Sequence, residues 1–536
     1  MKYEPTIGLE IHVELKTKSK MFCDTPNGLG LEKEPNVNIC PVCTGQPGVL
    51  PVINEEAVHM VLKTGLALNA KIAEFSKFDR KNYFYPDLPK GYQISQYDKP
   101  LVLGGHLDII DGESTGRIQI TRVHLEEDTG KLVHPVRKSD FSNGVNPKGA
   151  DYSLVDLNRA GVPLMELVTE PDIKSGSQAR KFCQELQLIL RYLGVSDADM
   201  EKGQMRCEVN ISLREIPQIG ADINTADRRG SIYKEGIRDN QAEDQRESAV
   251  LGTKVEIKNL NSFRAVEKSI NYEIKRQAEE LEAGGKIIQE TRGWDDAAGK
   301  TVSQRTKEEA HDYRYFPEPD LPPLVGLDKL ADKLLAGMPE LPRAKKVRLA
   351  EEYVLSQSDI EVLIQSKNIT DYFENVCSEF NKTENVAGLV KEEIVKLCKL
   401  AVNYLITEIP RIAAILQLTN YQIKDKITAE NFAEFIILIH QGKVSSSGAQ
   451  AVLAEMFKTG ADPTHIIEEK DLGQVSDEGA LRSIAQKVIE NNQKTVVDYK
   501  KGHANALQFL VGQVMKESRG RANPNLARDI LTELLK

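Results

Sequence analysis

Polar and apolar residues alternate along several short segments within the first 325 residues. The alternation runs through segments 7–15, 207–213 and 255–258. A period of two places successive side chains on opposite faces of a β-strand, so each segment is predicted to be a strand with one buried face. Such half-buried strands are typical of antiparallel sheets, because parallel sheets are usually covered on both faces.

Helical periodicity appears between these strands and dominates the second half of the chain. Segments 55–68, 177–193 and 263–281 carry apolar residues three and four positions apart, which predicts amphipathic helices. After about residue 327 the alternation ends, and Leu, Ala, Lys and Glu follow at helical spacing. The predicted fold class is therefore α+β, with an antiparallel sheet and flanking helices first and helices alone afterwards.

Proline clusters and shifts in composition predict the domain boundaries. Four prolines between 317 and 323 indicate the exit from a first domain at residues 1–327. A helical domain is predicted at 328–426 and a helical tail at 427–536. Within the first domain, thirteen of the 36 residues in 215–250 are charged, which predicts an exposed excursion between two strands.

Composition and charge narrow the class of protein. The chain has 536 residues, of which 40% are hydrophobic and 28% charged, and this is typical of a globular protein of several domains. The net charge of −10 excludes a uniformly basic nucleic-acid coat. Residues 481–536 nevertheless hold ten Lys or Arg against five Asp or Glu. This basic tail indicates either a phosphate-rich partner or a solvated helix face.

The cellular compartment is predicted from what the sequence lacks. No apolar run reaches the roughly 18 residues that a membrane span needs. No charged-then-apolar leader precedes the first strand. Seven cysteines with one close pair fit a reducing compartment rather than a disulfide framework. We therefore expect a cytoplasmic protein with no membrane partner.

The polar faces of the predicted strands offer candidate catalytic groups. Glu10 and His12 share one face of the first strand. Glu208 lies on the polar face of the second strand, and Lys258 lies on that of the third. Oxygen ligands bind Mg²⁺, which brings substrate phosphates with it. If the strands are neighbours, the sequence predicts a magnesium–phosphate site, and the alternative is that these faces meet only water.

A dense acidic segment at 124–128 ends another alternating run. Four of its five residues are acidic or histidine, including Glu126 and Glu127. Burying so many ionisable groups without a cation is costly. Because neighbours in a strand point to opposite faces, only one of the two glutamates should reach a metal unless a bulge re-aims the other. The alternative is a charged strand end before a glycine turn.

Two further segments offer contacts for phosphate or a base. Arg80, Lys81 and Tyr83 lie in a short segment that mixes cations with aromatic residues. Cations of this kind bind phosphate and aromatic faces stack on bases. Asn158 and Arg159 precede a Gly-Val-Pro turn and offer a second phosphate contact. A packed tyrosine-rich turn and a polar strand end are the respective alternatives.

Three cysteines are candidate metal ligands. Cys40 and Cys43 form a Cys-x-x-Cys pair, and Cys23 lies 17 residues before Cys40. Structural zinc usually takes four ligands, so Asp24 or a distant histidine would have to complete the set. Three reduced cysteines without a metal are the alternative.

Several phrases, taken in their order along the chain, point to a family. They are GLEIHVEL at 8–15, KFDRKNYFYPD at 77–87, HLEED at 124–128, DLNR at 156–159, RCEVNIS at 206–212, EIKNLNSF at 256–263 and DYRYFPEPD at 312–320. Together with DYK at 498–500 and FLVGQVMK at 509–516, they closely resemble the B subunits of aspartyl/glutamyl-tRNA(Asn/Gln) amidotransferases. The resemblance covers nearly the whole chain.

The resemblance implies a fold and a reaction. It implies a cradle-shaped catalytic domain, then a helical domain and a helical tail that contacts tRNA. The side-chain carboxylate of Glu-tRNA(Gln) or Asp-tRNA(Asn) would be activated with ATP as an acyl phosphate, from which ammonia displaces phosphate. An amidase-type A subunit would make the ammonia from glutamine, and a small C subunit would complete a heterotrimer.

The resemblance also implies roles for residues at the matching positions. The implied Mg²⁺ ligands are Glu10, His12, Glu126, Glu127 and Glu208, and the implied catalytic residues are Glu10, His12 and Lys258. The implied contacts to ATP or the tRNA end are Arg80, Lys81, Tyr83, Asn158 and Arg159. Many family members have two thiols near Cys23, whereas Thr25 stands at the second position here, so the zinc alternatives stay open.

Two other functions compete with this interpretation. A non-catalytic tRNA-binding protein that keeps the fold is the alternative, but such a protein has no use for four acidic and imidazole groups on facing strands. A self-sufficient glutamine-hydrolysing enzyme is excluded, because the sequence has no nucleophile motif.

Overall fold

The chain forms two compact units. The structure is a computed structural model that describes residues 3–28, 32, 34–112, 114–133, 152–216, 252–306, 312–382, 391–416, 423–473, 478–518 and 521–536. The first unit is Met1–Leu341 and the second is Pro342–Lys536. Most of the predicted excursion at 215–250 lies outside the described residues.

The first unit combines strands with a few helices. Its strands are β1 (Tyr3–Glu14), β2 (Lys71–Ile72), β3 (Phe75–Ser76), β4 (Asp79–Asn82), β5 (Tyr92–Ser95), β6 (Val102–Leu103), β7 (His106–Asp111), β8 (Ser114–Glu127), β9 (Lys131–Val133), β10 (Leu154–Asp156), β11 (Pro163–Thr169), β12 (Met205–Glu215), β13 (Val255–Leu260), β14 (Glu290–Asp295), β15 (Lys300–Thr306), β16 (Phe316–Pro317) and β17 (Leu324–Val325). Its helices are α1 (Glu55–Ala67), α2 (Gly176–Leu193), α3 (Phe263–Glu282) and α4 (Leu327–Ala336).

A ten-stranded sheet forms the centre of this unit. Nine strands follow in the order β15-β14-β13-β12-β1-β11-β8-β6-β2, and β7 pairs with β8. The pairs are antiparallel, as predicted, except that β13 and β14 run parallel. This exception arises because α3 lies between these two strands in the chain, and a helical crossover returns the next strand in the same direction.

The apolar face of the sheet carries the core. Ile7, Leu9, Ile11 and Val13 of β1 are at most 1% exposed, and they belong to one cluster with apolar residues of α1, α2 and α3. Burying one such side chain contributes about 1.5–3 kcal/mol to stability. Since the side chains of β1 alternate, burial of this set turns the intervening polar residues to the opposite face.

Caps set the ends of the two long helices behind the sheet. The Ser175 side chain accepts a hydrogen bond from the Gln178 backbone at the start of α2, and Gly194 ends that helix with a φ of 71°. The Ser262 side chain caps α3 in the same way through the backbone of Ala265. A serine cap satisfies a backbone donor that the first helical turn leaves unpaired.

A three-stranded sheet, β16-β4-β5, accompanies the large sheet. It pairs the 79–82 segment with Phe316–Pro317, so residues far apart in the sequence become neighbours. The first unit also includes α4, whose Leu327 and Ala331 are buried, whereas the sequence-based boundary at 327 places this helix in the next domain.

The second unit is helical over its described residues, which confirms the prediction for this half. Its helices are α5 (Pro342–Tyr353), α6 (Gln357–Leu363), α7 (Lys367–Lys382), α8 (Lys391–Asn403), α9 (Ile409–Ile415), α10 (Ala429–His440), α11 (Ser446–Thr459), α12 (Pro463–Glu469), α13 (Glu478–Asn491), α14 (Gln493–Lys500), α15 (Ala504–Glu517) and α16 (Pro524–Leu534). The last four share their own core, which includes Leu510, Val514 and Leu531. The further boundary at 426 stays a prediction. Among the described helices, none has both the length and the apolar composition that a bilayer crossing requires.

Candidate active site

Neighbouring strands of the large sheet bring ionisable side chains together on its polar face. The register places His12 of β1 opposite Glu166 of β11, and Glu166 opposite His124 of β8. On the other side of β1, Glu10 lies opposite Glu208 of β12. Directly opposed residues in antiparallel strands share a face, with Cβ atoms about 4.5–5.5 Å apart. Four adjacent strands therefore contribute to one polar surface.

His12 lies at the centre of an acidic group. Its Nε2 is 3.8 Å from Glu10 Oε1, 3.7 Å from Glu126 Oε1 and 3.4 Å from Glu166 Oε2. Ligand atoms about 2.1 Å from one octahedral Mg²⁺ lie about 3.0 Å apart in cis positions and about 4.2 Å apart in trans positions. The three measured separations fall between these limits. We call these four side chains the His12 group. Ligand atoms of Glu10, His12 and Glu166 lie within 4.8 Å of one another, and so do those of His124, Glu126 and Glu166, so each set of three could hold a divalent cation.

The carboxylates around His12 determine its charge. Burial alone would lower the pKa of His12, but its hydrogen bond to Glu166 and the negative charges of Glu126 and Glu10 raise that pKa to about 9. Burial raises the pKa of Glu126 to about 7, and the charge of Glu166 adds to this rise. Burial also raises the pKa of Glu10, again together with the charge of Glu166. In the absence of a metal, a proton on His12 partly balances the acidic charge, and a divalent cation would take over that function.

Glu166 and His124 complete this site, although neither is among the ligands predicted from the sequence. Glu166 Oε2 is 3.5 Å from His124 Nε2, and Glu166 Oε1 is 3.3 Å from Arg122 Nη2. Burial would raise the pKa of Glu166, but His124, His12 and Arg122 hold it well below its usual range. Burial lowers the pKa of His124 to about 4, and its buried Nδ1 has no hydrogen-bond partner within the described parts of the chain.

The sequence does contain a signal for Glu166. It is the only charged residue in β11, whose sequence is PLMELVT, and the strand is almost entirely buried. A lone carboxylate in a buried apolar strand is costly unless cations or hydrogen-bond donors surround it. Such a residue is therefore a candidate ligand in its own right.

Glu127 points away from the His12 group. Its Oε1 accepts a hydrogen bond from the Ile94 backbone at 2.9 Å and pairs with Lys90 Nζ. Pairing between β8 and β11 stays regular through this position, so no bulge re-aims the side chain. The structure therefore places Glu126 beside His12 and Glu127 on the opposite face, as alternation in a strand requires.

Lys258 lies next to Glu208 rather than free in solvent. Its Nζ is 3.0 Å from Glu208 Oε2 and 3.4 Å from Glu256 Oε1. Burial opposes the charge on Lys258, but Glu208 and Glu256 raise its pKa, so it stays a cation. Among the described residues, the two ligand groups around His12 and His124 do not include Glu208. Glu208 is thus placed to hold Lys258 at the edge of the site.

Lys81 faces the acidic surface from the three-stranded sheet. Its Nζ lies 5.2 Å from the centre of the Tyr313 ring. Burial opposes its charge, but the charges of Glu126, Tyr315 and Glu166 raise its pKa. Tyr83 packs edge-to-face on Tyr313 with ring centres 6.0 Å apart. A cation and aromatic rings therefore stand beside the carboxylates, as a nucleotide or RNA end would require.

Two predicted phosphate contacts have structural partners. Arg80 binds Glu318 through two hydrogen bonds, Nε to Oε2 at 2.6 Å and Nη2 to Oε1 at 2.7 Å, and lies over the Tyr92 ring. Asn158, 1% exposed, donates to the backbone of Glu34 at 2.7 Å and accepts from that of Asn38 at 2.9 Å. Both side chains hold chain segments together. Any contact of theirs to a ligand stays a prediction.

The three predicted thiols do come together. The sulfur atoms of Cys23, Cys40 and Cys43 lie within 4.8 Å of one another. The hydrogen bond from Cys23 lowers the pKa of the Cys43 thiol to about 5, even though burial opposes this. Lys20 is fully buried, and its Nζ is 3.8 Å from Cys43 Sγ. Within the described residues this group offers three thiol ligands, so the fourth ligand of a structural zinc site is not supplied.

Two family models and several curated relatives are similar to this chain. The family model described as "GatB/GatE catalytic domain" matches residues 5–332, and the model described as "GatB domain" matches residues 371–535. The chain is 46% identical over its full length to the B subunit of the aspartyl/glutamyl-tRNA(Asn/Gln) amidotransferase of Persephonella marina, all of which is covered. It is 45% identical to the corresponding protein of Carboxydothermus hydrogenoformans, of which 99% is covered, and to that of Caldanaerobacter subterraneus, of which 100% is covered.

Proposed function

The chain belongs to the family of aspartyl/glutamyl-tRNA(Asn/Gln) amidotransferase B subunits, and we propose from its geometry how it contributes to that activity. It is one component of a glutamine-dependent ligase that forms a C–N bond and acts in protein biosynthesis. We propose that the first unit activates the side-chain carboxylate of Glu-tRNA(Gln) or Asp-tRNA(Asn) with ATP and Mg²⁺, and that ammonia then converts this group to the amide.

The His12 group is the observation that carries the proposal. Three carboxylates converge on one imidazole at 3.4–3.8 Å, on the polar face of the sheet, with Lys81 and Lys258 at its borders. A protein without catalytic chemistry would gain nothing from Glu10 and Glu126, whose pKa values are raised by burial and by the charge of Glu166. A phosphate-transfer site needs both the cation ligands and the flanking ammonium groups.

The chemistry explains why activation precedes amide formation. A free carboxylate is a poor acyl donor, because its leaving group would be oxide. The carboxylate oxygen bonds to the γ-phosphorus of ATP, and ADP leaves with the electron pair of the broken P–O bond. Ammonia then bonds to the carbonyl carbon, phosphate leaves with its electron pair, and the nitrogen loses one proton. Phosphate is therefore the leaving group that makes the amide accessible.

The chain's own residues would bind, orient and neutralise the reactants. Glu10, His12, Glu126 and Glu166 would hold Mg²⁺, which when bound would neutralise phosphate charge. Lys258, held by Glu208, would neutralise the phosphate from one side. Lys81 would do so from the side of the three-stranded sheet, where Tyr83 and Tyr313 offer rings for the adenine or the terminal tRNA base.

Partners would supply what this chain lacks. An amidase-type A subunit would release ammonia from glutamine, and a small C subunit would complete the heterotrimer. The basic tail, with ten Lys or Arg in 481–536 against five acidic residues, would bind the tRNA backbone. Its helices have their own apolar core, so they form a stable surface for such a contact.

Amide formation by the assembled complex tests the proposal. The chain is purified with its A and C subunits and given Glu-tRNA(Gln) or Asp-tRNA(Asn), ATP, Mg²⁺ and either glutamine or ammonium. We expect product with both nitrogen donors from the wild type and with neither donor from His12→Ala. His59→Ala is the matched control, because His59 lies on α1, outside the His12 group, and its Nε2 is 3.7 Å from the exposed Glu55.

The alternative function, a non-catalytic tRNA-binding protein, predicts the opposite result. If the wild-type complex binds tRNA but forms no amide with either donor, the chain is a tRNA-binding protein that keeps the fold. Normal turnover by His12→Ala would instead remove His12 from the site while leaving the activity itself in place.

A further inference from the structure

Two arginines lie beside the His12 group, and the roles proposed for the other site residues leave these two without a function. The register between β1 and β12 places Arg206 directly opposite His12. The residues of β12 on either side of it, Met205 and Cys207, are buried in the core, so Arg206 projects from the polar face. The second arginine, Arg159, comes from the turn that precedes β11.

One buried carboxylate holds both guanidinium groups. Asp128 is 4% exposed. Its Oδ2 accepts hydrogen bonds from Arg159 Nε at 3.1 Å and Nη2 at 2.7 Å, and from Arg206 Nη2 at 2.8 Å. Its Oδ1 accepts from the Thr129 backbone at 2.9 Å. Asp128 therefore fixes both arginines with every oxygen engaged.

Arg206 keeps most of its hydrogen-bonding capacity. Its contact with Asp128 uses Nη2, whereas Nε and Nη1 donate to no atom in the described part of the chain. A guanidinium group has five N–H donors in a planar fork. The side chain is 38% exposed, so a ligand can reach these donors. Arg80, by contrast, uses one whole edge of its guanidinium group, Nε and Nη2, on Glu318.

The carboxyl groups next to the arginine pair are buried, whereas Arg206 is partly exposed. Asp128 binds both guanidinium groups, and Glu14 lies 3.5 Å from Arg159 at the buried side of the pair. Burial opposes the charge on Arg206, but Asp128, Glu14 and Glu126 raise its pKa. The register opposite His12 places Arg206 at the border of the His12 group. A cation site and a guanidinium fork thus meet on one face of the sheet.

We propose that Arg206, positioned by Asp128, binds the phosphoryl group during its transfer from ATP to the side-chain carboxylate. This inference rests on the proposed function. Arg206 donates hydrogen bonds to the non-bridging oxygens from the edge of its guanidinium group that Asp128 leaves free, which includes the second hydrogen of Nη2. The charge of these oxygens is spread over the group while the bond to the carboxylate oxygen forms and the bond to ADP breaks. Arg206 gains and loses no proton in this step.

The planar fork explains why an arginine suits this position. Guanidinium donors match two phosphate oxygens at once, which a single ammonium group cannot do. Lys81 and Lys258 would supply charge from the two borders of the His12 group, and Arg206 would supply directed donors. Removing one preorganised donor from a developing negative charge typically lowers a rate by about 100- to 1000-fold.

The experiment measures activation separately from amide formation. The complex with the A and C subunits is given Mg²⁺, ATP and Glu-tRNA(Gln), first without a nitrogen donor to follow ADP formation, and then with ammonium. We expect Arg206→Gln to slow ADP formation about 100-fold or more, with tRNA affinity within threefold of wild type. Arg206→Lys should recover only a minor part of the rate.

Arg214→Gln is the matched control. Arg214 lies on the same face of β12, four alternating positions further along, and binds Glu4 at the far end of the strand. We expect this variant to keep the wild-type rate of ADP formation. A loss as large as that of Arg206→Gln would show that any charge removed from β12 slows the reaction, and it would overturn the inference.

Two further results would overturn the proposed role of Arg206. ADP formation by Arg206→Gln within threefold of wild type would overturn the role of Arg206, and so would unchanged ADP formation with slow amide formation. Should the Gln variant not fold, Arg206→Lys replaces it under the same threefold criterion. A wild-type complex that makes neither ADP nor amide refutes the proposed function instead, so the two failures are distinguishable.

Discussion

Binding of Mg²⁺ to the His12 group should tighten as the pH rises from 7 to 9. Neighbouring carboxylates raise the pKa of His12 to about 9, so the imidazole is protonated at neutral pH when no metal is bound. A metal binds only the neutral imidazole, and its binding therefore displaces this proton. Because each bound Mg²⁺ releases a proton, the affinity for Mg²⁺ depends on the pH.

The size of the effect follows from the pKa. One pKa unit corresponds to about 1.4 kcal/mol, so removing the proton at pH 7 costs on the order of 3 kcal/mol. The apparent affinity should therefore increase about tenfold for each pH unit between 7 and 9 and then level off. Because the pKa of Glu126 is raised to about 7, its own titration adds to the dependence only below that pH.

The stability of the metal-free protein should change in the opposite direction. The pKa of His12 is raised from 6.5 in the unfolded chain to about 9 in the fold, so the folded state binds the proton more tightly. The resulting stabilisation is fully present below pH 6.5 and disappears as the pH rises through 9. It amounts to on the order of 3 kcal/mol for this 16%-exposed side chain. Bound Mg²⁺ should restore the stability that is lost at high pH.

Calorimetry on the assembled complex measures both quantities. Mg²⁺ is titrated at pH 7, 8 and 9 in two buffers with different heats of ionisation, which reports protons released per bound metal. We expect close to one proton at pH 7–8 from the wild type and from the control His59→Gln. His12→Gln should bind more weakly, with little change between pH 8 and 9. Equal affinity of the wild type at pH 7 and 9 would refute the reasoning, and so would an unchanged slope in His12→Gln.

Three other variants and one deletion test the same structure. Glu166→Gln removes the charge between two imidazoles, so the Mg²⁺ affinity should fall about 10- to 100-fold in the same titration; an unchanged affinity would exclude Glu166 as a ligand. Lys258→Met should lower kcat with ammonium at least about tenfold while tRNA binding stays intact in a filter assay, and an unaltered kcat would contradict its role. Leu510→Ala should destabilise the tail core by about 3 kcal/mol in thermal unfolding, because Leu510 is fully buried, and a loss under about 1 kcal/mol would count against that core. Deleting 481–536 should weaken tRNA affinity most at low salt, whereas equal affinity at every salt concentration would exclude the tail as a tRNA contact.

Local sequence patterns were sufficient for the faces of the strands. Alternation along β1 placed Glu10 and His12 opposite the apolar residues, and the structure buries that apolar set. The same rule separated Glu126 from Glu127 before either had a known partner. These predictions succeed because the direction of a side chain in a strand depends only on its own backbone.

Partners across the fold could not be inferred in the same way. Arg80 interacts with Glu318, 238 positions away, and this pairing removes it from the free cations that its segment suggested. The parallel pairing of β13 and β14 likewise depends on the path of the helix between them. A sequence pattern carries no information on which distant carboxylate will meet a given guanidinium.

At the candidate active site, the sequence and the tertiary structure supply different information. The sequence alone determined the α+β class, the helical second half, the family and the polar strand faces that carry Glu10, His12 and Lys258. Only the tertiary structure decided that β11 lies between β1 and β8, which places Glu166 against both His12 and His124. The physical reason is that strand alternation is a local property of the backbone, whereas strand order and register result from contacts between distant segments.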